Sequence, residues 1–137
     1  MGQQRRSREF ALQVLFQREF SKESSPRELV TASAQAFSVE KEIGQAGSQL
    51  VLGILDHLED IDSKINSTSN NWKTARMALV DLNLLRIACY EMLILDPPTP
   101  FKVCIDEAVE LAKKYGTTES AAFLNGILDQ LAKSNFS

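Results

Sequence analysis

Apolar residues recur at every third or fourth position along almost the whole chain, and no segment shows the sustained alternation that marks a strand. This spacing predicts an all-α protein. We expect about seven helices, over roughly residues 6–20, 26–37, 39–65, 74–95, 100–115 and from about 118 onward, with the fourth of these stretches divided near residue 81.

Polar and proline-containing breaks separate the predicted helices. In SKESSP, Ser25 is a suitable N-cap and Pro26 fits the first helical position. In DPPTP, we expect Thr99 to be the N-cap of the helix that follows and Pro100 to be its first residue. Because the connections are short, neighbouring helices should pack antiparallel.

The segment AAFLNGILDQL, residues 121–131, combines helical spacing with an Asn-Gly pair that favours a hairpin turn. At 100° per residue its leucine and isoleucine side chains fall on one face, so we predict a continuous helix through Gly126. The glycine then lies on the outward side, beside Phe123. An outward-facing bare backbone is useful where something must approach closely, either a neighbouring helix or a nucleotide stacked on the aromatic ring.

Composition and charge are those of an ordinary globular domain. Of the 137 residues, 44% are hydrophobic and 24% are charged, which is enough for one domain with a sizeable core. The net charge is −3, but the N-terminal end is basic and the remainder acidic. Such a chain can hold a polyanion only through a localised basic patch. No membrane span or secretory signal is visible in the sequence, so we expect a cytoplasmic protein.

No motif indicates catalysis, a metal or a cofactor. The chain has no phosphate-binding glycine loop, no G-x-S-x-G and no H-E-x-x-H. The single histidine, His57, has no nucleophile that the sequence ties to it. Cys89 and Cys104 form no C-x-x-C pair, so we expect buried thiols. Arg86 and Glu91 lie in an apolar stretch, where we expect a structural ion pair or a hydrogen-bonded network.

Several motifs together make the chain similar to a known family. They are the arginine-rich start RRSREFALQ, the run LLRIACYEML, the helix FKVCIDEAVELAKKYG and the run AAFLNGILDQL. In this combination they resemble the NusB family of bacterial transcription antitermination factors. The match covers both ends and the later half of the chain, whereas residues 21–70 resemble the family only in general character and carry none of these motifs.

The resemblance implies a non-enzymatic protein of two packed helical subdomains, acting as a single NusB-like domain over residues 1–137 without a cofactor. Members of the family pair with NusE, a small-subunit ribosomal protein, within the transcription elongation complex. They bind the boxA element of nascent RNA, notably in ribosomal RNA leaders. Some relatives self-associate, so a homodimer is an alternative that light scattering would test.

The family's functional positions map onto particular residues of this chain. Three arginines match its RNA-binding segment, in an N-terminal arm of about residues 1–8 that we expect to be flexible. Two residues match the region near the start of the last helix that also meets RNA, and the outward glycine is added to them. The six expected RNA-binding residues are Arg5, Arg6, Arg8, Glu119, Phe123 and Gly126. The two expected on the NusE-facing side are Phe16 and Asp81.

Two positions depart from the family's usual pattern. Phe16 stands where relatives often carry an aromatic residue with a hydroxyl group, and Ala122 where they often carry a basic residue. The second difference weakens the RNA contact expected at the last helix.

Two other functions stay open at the level of the sequence. One is a NusB-like helical module of the type attached to RNA cytosine methyltransferases, which predicts a fused catalytic domain that this sequence does not contain. The other is a helical adaptor that binds only protein. A gel shift of boxA RNA with and without NusE separates the adaptor from the RNA-binding factor.

Overall fold

The computed structural model describes residues 2–69 and 73–136, apart from the side chain of residue 136. Every regular element in these ranges is a helix, so the prediction of an all-α fold is confirmed. The chain divides into two compact units, Met1–Asp56 and His57–Ser137. Trp72, which the sequence suggests as a core residue, lies outside the described residues.

The first unit contains three helices, α1 (Gly2–Arg18), α2 (Pro26–Ala36) and α3 (Lys41–Asp56). Helix α1 packs mainly along α3, and α2 packs against both. The apolar side chains buried on these helices are Phe10, Ala11, Leu12, Val14, Leu15, Leu29, Val30, Ile43, Val51 and Ile54.

Helix α2 begins as the sequence predicts, with Ser25 as its N-cap and Pro26 at its first position. The Glu28 N–H donates to the Ser25 hydroxyl oxygen at 3.2 Å, and the Ser25 N–H donates to the Glu28 carboxylate at 2.9 Å. This reciprocal pair is a capping box, which satisfies two N–H groups that a helix start otherwise leaves unpaired. The hydrogen bonds from Ser25 hold the pKa of the Glu28 carboxyl below its usual value.

The second unit is built around one central helix. Its elements are α4 (Leu58–Thr68), a 3-10 turn (Thr74–Arg76), α5 (Leu79–Cys89), a π-helical turn (Tyr90–Ile94), α6 (Phe101–Tyr115) and α7 (Ser120–Phe136). Helix α5 contacts α4, α6 and α7, so its apolar residues form the middle of this core. The largest side chains that are completely buried here are Ile61, Ile65, Leu84, Leu85, Met92, Leu111, Leu124, Leu128 and Leu131.

The last helix runs without interruption through the Asn-Gly pair, as predicted. Leu124 and Leu128 are fully buried, and Ile127 is 9% exposed, whereas Gly126 is exposed. The apolar spacing therefore decides the conformation, because the buried face compensates for the roughly 1 kcal/mol that a glycine costs in a helix.

The prediction of a flexible N-terminal arm was wrong for the described residues 2–8. They form the first two turns of α1, which begins at Gly2 rather than near residue 6. Glutamine and arginine are good helix formers, and nothing between Gly2 and Phe10 breaks the helix. The Ser7 hydroxyl is accommodated by donating to the Gln3 carbonyl at 3.0 Å, one turn earlier.

The single long helix predicted over 39–65 was also wrong, because it breaks at His57. This residue has φ −119° and ψ 22° and is the N-cap of α4. The break coincides with the boundary between the two units. On one straight helix the buried isoleucine and valine side chains on either side of His57 would still fall within about 80° of one another. Apolar periodicity therefore carries no sign of the break.

Helix α6 starts one residue later than predicted. Pro100 occupies the N-cap and Phe101 the first helical position. The hydroxyl of Thr99 instead donates to the carboxylate of Glu91 at 3.0 Å, where it satisfies a side chain that is only 4% exposed. Glu91 thus belongs to a buried hydrogen-bonded network, as predicted.

The guanidinium of Arg86 makes a bidentate contact with a carboxylate in the second unit. It donates to both carboxylate oxygens of Asp62, from Nε at 2.9 Å and from Nη2 at 2.8 Å, and to the Asn83 side-chain oxygen at 3.0 Å. The side chain of Arg86 is 10% exposed and that of Asp62 is 24% exposed. The pair therefore joins α5 to α4 in a largely dry environment, as predicted for Arg86.

The two cysteines are buried free thiols, as predicted. Burial raises the pKa of the Cys89 thiol to about 12, because the thiolate would lose its hydration there. This cysteine is therefore an apolar core residue at physiological pH.

We predict that Asp62→Ala destabilises the protein by about 2–3 kcal/mol. The substitution leaves the Arg86 guanidinium in its buried position without its anion, which costs far more than an exposed ion pair. The matched control is Asp60→Ala on the same helix, whose 3.6 Å pair with Lys64 is at the surface and should cost less than about 0.5 kcal/mol. Chemical denaturation measures both values, and equal effects would contradict the assignment.

Helix α1 crosses α3 closely at Gly47. A Cβ atom at this position would lie 2.7 Å from Phe10 Cδ2 and 2.8 Å from the Ser7 carbonyl oxygen. At Gly44, one turn earlier on the same helix, a Cβ atom would meet only Val39 Cγ1, at an ordinary 3.9 Å. The crossing therefore depends on the first glycine and not on the second.

Gly47→Ala should destabilise the protein by about 1–3 kcal/mol, because the backbone carbonyl of α1 has to move to admit the methyl group. Gly44→Ala should be neutral or stabilising by up to about 1 kcal/mol, because alanine is the better helix former. Thermal unfolding of the two variants tests the difference. A stable Gly47→Ala protein would show that the crossing is looser than described.

Candidate nucleic-acid interface

A groove of about 610 Å³ lies in the second unit, between the end of α4, the start of α5 and the first turns of α7. Glu119, Phe123 and Gly126, three of the six residues expected to bind RNA, line this groove. Asp81, which the sequence places on the partner-facing side, lines it as well. The structure thus brings these four predicted residues together in one concave site.

The link between α6 and α7 fixes where the groove-lining helix begins. A Cβ atom at Gly116 would lie 2.5 Å from the Ser120 hydroxyl oxygen and 2.9 Å from the Ala112 carbonyl oxygen, so only glycine fits there. The Thr117 N–H donates to the Ser120 hydroxyl oxygen at 2.9 Å. This tight turn starts α7 at Ser120 and leaves Glu119 exposed at the rim.

A short hydrogen-bonded link also holds the opposite wall of the groove. The side-chain oxygen of Asn66 accepts from the Thr74 N–H at 2.8 Å, and its amide donates to the Thr74 hydroxyl at 3.3 Å. The end of α4 is thereby tied to the segment that leads into α5. Thr68 and Asp81 face the groove from these two elements.

Phe123 and Gly126 form an aromatic side chain and a bare backbone one helical turn apart. Phe123 is partly exposed and Gly126 is exposed. A Cβ atom at Gly126 would meet no atom of the described residues within 4 Å. Within the described residues the glycine therefore does not pack against a neighbouring helix, and its backbone stays open toward the groove.

The groove is acidic. Among the described residues that line it, none is Lys, Arg or His, whereas Asp81 and Glu119 each contribute a carboxylate. The Glu119 carboxylate accepts from the Thr118 hydroxyl at 2.6 Å. The Oδ1 atom of Asp81 is shielded from solvent and has no hydrogen-bond partner within the described part of the chain. Such a surface suits flat groups that carry hydrogen-bond donors, and it repels phosphate.

The three arginines expected to bind RNA lie on the first turns of α1, in the first unit. Arg6 is exposed, and its Nη2 atom lies 2.7 Å from an oxygen of Glu40. Arg5 is partly exposed, whereas Arg8 is only 7% exposed, and both make polar contacts. Arg5 and Arg6 are therefore the arginines of this group that a ligand can reach without a rearrangement of α1.

Phe16, expected on the partner-facing side, lies near the end of α1 in the first unit, and Asp81 lies in the second unit. The Phe16 ring is 37% exposed, and its centroid is 5.6 Å from that of Phe20, which is 70% exposed. An aromatic pair this exposed is typical of a surface that binds another protein.

No other group of side chains in the described part of the chain suggests chemistry. Within residues 2–69 and 73–136, no three His, Cys, Asp or Glu side chains lie close enough together to hold a metal ion. In the same ranges no helix has the length and apolar character needed to cross a membrane. His57 is exposed, and its ring lies 6.3 Å from that of Tyr90.

Sequence reasoning missed two features of these surfaces. It did not place Asp81 in the same groove as Glu119, because the two residues are far apart in the chain and line one groove only through the packing of α5 on α7. It also did not pair Glu40 with Arg6 of α1. No sequence signal marks either contact.

Comparison with known proteins agrees with the fold and with the motifs. The sequence profile described as the NusB family matches residues 5–133. The transcription antitermination protein NusB of Bdellovibrio bacteriovorus is 45% identical over 131 residues, which cover 96% of each chain. The NusB of Geobacter sulfurreducens is 44% identical and covers 98% of this chain and 96% of its own.

Two solved structures share the fold. That of T. maritima NusB superposes with a TM-score of 0.81 at 37% identity, over 94% of this chain and 89% of that one. The crystal structure of the antitermination factors NusB and NusE in complex with dsRNA superposes with a TM-score of 0.85 at 26% identity, over 98% of each chain. With a profile that spans nearly the whole sequence and relatives above 40% identity, the chain belongs to the NusB family.

Proposed function

We propose that this protein is a transcription antitermination factor that pairs with NusE and binds boxA RNA in nascent transcripts, notably in ribosomal RNA leaders. The observation that carries the RNA-binding part is the groove of the second unit, where Phe123 stands beside the open backbone of Gly126. An aromatic ring next to free space is the arrangement on which single-stranded bases stack.

The relatives support this proposal over its alternatives. One relative of the same fold has been crystallised as NusB with NusE and dsRNA, so both kinds of partner are found together on this fold. The curated relatives are antitermination proteins that match along 96% of their own length. This favours an antitermination factor over the NusB-like module of an RNA cytosine methyltransferase. Relatives of that second kind would carry a fused catalytic domain and would therefore be much longer than the matched region.

We assign different parts of the RNA to the two units. The acidic groove takes a base, because Asp81 and Glu119 repel phosphate and accept hydrogen bonds from base edges. Phosphates are held by Arg5 and Arg6 on α1, since a guanidinium provides a planar fork for phosphate oxygens. Arg8, which is 7% exposed, supports α1 and its neighbours instead of meeting RNA directly.

NusE is proposed to bind at the exposed aromatic residues of α1 and at Asp81. Phe16 and Phe20 provide apolar surface, and the partly exposed Asp81 carboxylate provides an acceptor for a donor on the partner. Because Asp81 also lines the groove, the partner would meet RNA at this edge of the second unit.

The proposed protein works as one NusB-like domain in the cytoplasm and is not an enzyme. It contributes binding energy and geometry to the elongation complex, and the described residues offer no cluster of groups suited to metal-assisted chemistry. Self-association through the same surfaces would mask them, so light scattering of the free protein belongs with every binding experiment.

We predict that Phe123→Ala weakens the binding of single-stranded boxA RNA to the NusE-paired protein by about 1–3 kcal/mol, equal to roughly 5- to 150-fold in Kd, because the ring on which one base stacks is removed. Phe123→Leu should also forfeit most of this affinity. The control is Phe101→Ala on α6, which removes a more exposed aromatic residue outside the groove. Fluorescence anisotropy measures the affinities, and equal effects at the two positions would contradict the stacking site.

Gly126→Ala separates packing from ligand contact. The free protein should become more stable by up to about 1 kcal/mol, because alanine favours the helix and the new methyl group meets open space. RNA affinity should fall, because the methyl group occupies the place of the nucleotide. Thermal unfolding and RNA titration are measured on the same sample. A destabilised variant, or one with unchanged affinity, would remove Gly126 from the site.

The double variant Arg5→Gln/Arg6→Gln should weaken RNA binding and leave NusE pairing intact. Each phosphate that the variant no longer neutralises should reduce the slope of log K against log salt by about 0.7. Lys113→Gln/Lys114→Gln on α6 makes the same change in net charge away from α1 and serves as the control. Unchanged RNA affinity in the arginine variant would refute the role of α1. Pairing with NusE but no RNA binding in the parent protein would indicate the protein-only adaptor.

A further inference from the structure

Arg6, which the proposed function assigns to RNA phosphate, is already paired in the free protein. Its Nη2 atom lies 2.7 Å from Oε1 of Glu40, which directly precedes α3. The two side chains are 54% and 59% exposed. A carboxylate therefore occupies part of the guanidinium fork that a phosphate would need.

We propose that Glu40 competes with RNA for Arg6 and thereby sets the affinity of the α1 surface for phosphate. This inference rests on the proposed function, because it concerns the same phosphate contact. Carboxylate and phosphate oxygens take the same N–H donors of a guanidinium, so the arriving phosphate either displaces Glu40 or lies within a few ångströms of its charge.

The exposure of the Arg6–Glu40 ion pair indicates that the pair can open and that Glu40 can be exchanged for an RNA phosphate. With both side chains more than half exposed, the ion pair is hydrated and contributes little to folding. It opens readily, and the arginine can exchange one anion for the other. A buried pair such as that of Arg86, with a side chain 10% exposed, has no such freedom.

Competition of this kind has a salt signature. RNA binding gains from the counterions that each neutralised phosphate releases. When Arg6 first has to leave Glu40, its charge is already compensated and the net release is smaller. Removal of the Glu40 charge should therefore raise the affinity and steepen the salt dependence together, and the gain should not depend on base sequence.

The chain offers a matched control for this charge. Glu42 is exposed in the first turn of α3, two residues after Glu40, and no ion pair of its side chain is found within the described residues. Glu42→Gln changes the net charge by the same amount as Glu40→Gln. Any difference between the two variants reports the contact with Arg6 and not the total charge.

The experiment titrates the full-length protein and its variants with single-stranded boxA RNA, and with a scrambled RNA of the same composition, at several salt concentrations. We expect Glu40→Gln to bind both RNAs about two- to fivefold more tightly at low salt, the range of one exposed ion pair. The slope of log K against log salt should become steeper by up to about 0.7. Glu42→Gln should show less than half of the gain.

The same titrations in an Arg6→Gln background test the coupling. There, Glu40→Gln should give no more gain than Glu42→Gln, because the contested guanidinium is gone. Circular dichroism confirms that each variant is folded. If Glu40→Gln behaves like Glu42→Gln, or weakens RNA binding because Glu40 orients the arginine, the competition is refuted. If Arg6→Gln alone leaves RNA affinity unchanged, the proposed role of α1 fails as well, and the two failures are thus distinguished.

Discussion

The bidentate contact between Arg86 and Asp62 is the constraint on which the candidate site depends. Two of the groove's walls are α4 and the start of α5, and this pair joins those two helices. A buried ion pair gains little net stability over apolar residues of similar size, but it tolerates few alternative arrangements, because a displaced guanidinium would be left without its anion. The pair therefore fixes the position of α5 relative to α4, and with it the position of Asp81.

A feature of the fold could be predicted from the sequence where a local pattern of residues marks it. The all-α fold, the N-cap at Ser25 followed by Pro26, and the continuous helix through Gly126 follow from local patterns, and all three were predicted. The break at His57 was not, because the apolar period continues across it in phase. The helical start of α1 was missed for the opposite reason, since a polar segment has no apolar stripe, although its residues are good helix formers.

In the candidate site, too, some features follow from a local sequence pattern and others depend on tertiary packing. Phe123 and Gly126 lie one turn apart on one helix, so a helical wheel identified the aromatic ring and the bare backbone beside it. The wheel could not tell whether a helix or a ligand faces the glycine. The open space around a Cβ atom there shows that no helix of the described residues packs against the glycine, and contact with a ligand stays a prediction. The placement of Asp81 in the groove and of Glu40 on Arg6 depends on tertiary packing, which no local pattern encodes.

A protein of net charge −3 that binds a polyanion has to obtain its binding free energy from several weak contacts. One stacked base contributes about 1–3 kcal/mol, and two accessible arginines add a salt-dependent term that Glu40 reduces. Their sum is too small for tight binding by this surface alone once the restricted freedom of the RNA is subtracted. A partner that contacts both the protein and the RNA changes this balance, because its contacts become intramolecular in the complex. The small number of accessible arginines on α1 thus explains physically why RNA binding and pairing with NusE belong together in the proposed function. RNA and NusE each supply contacts that the other needs to remain bound.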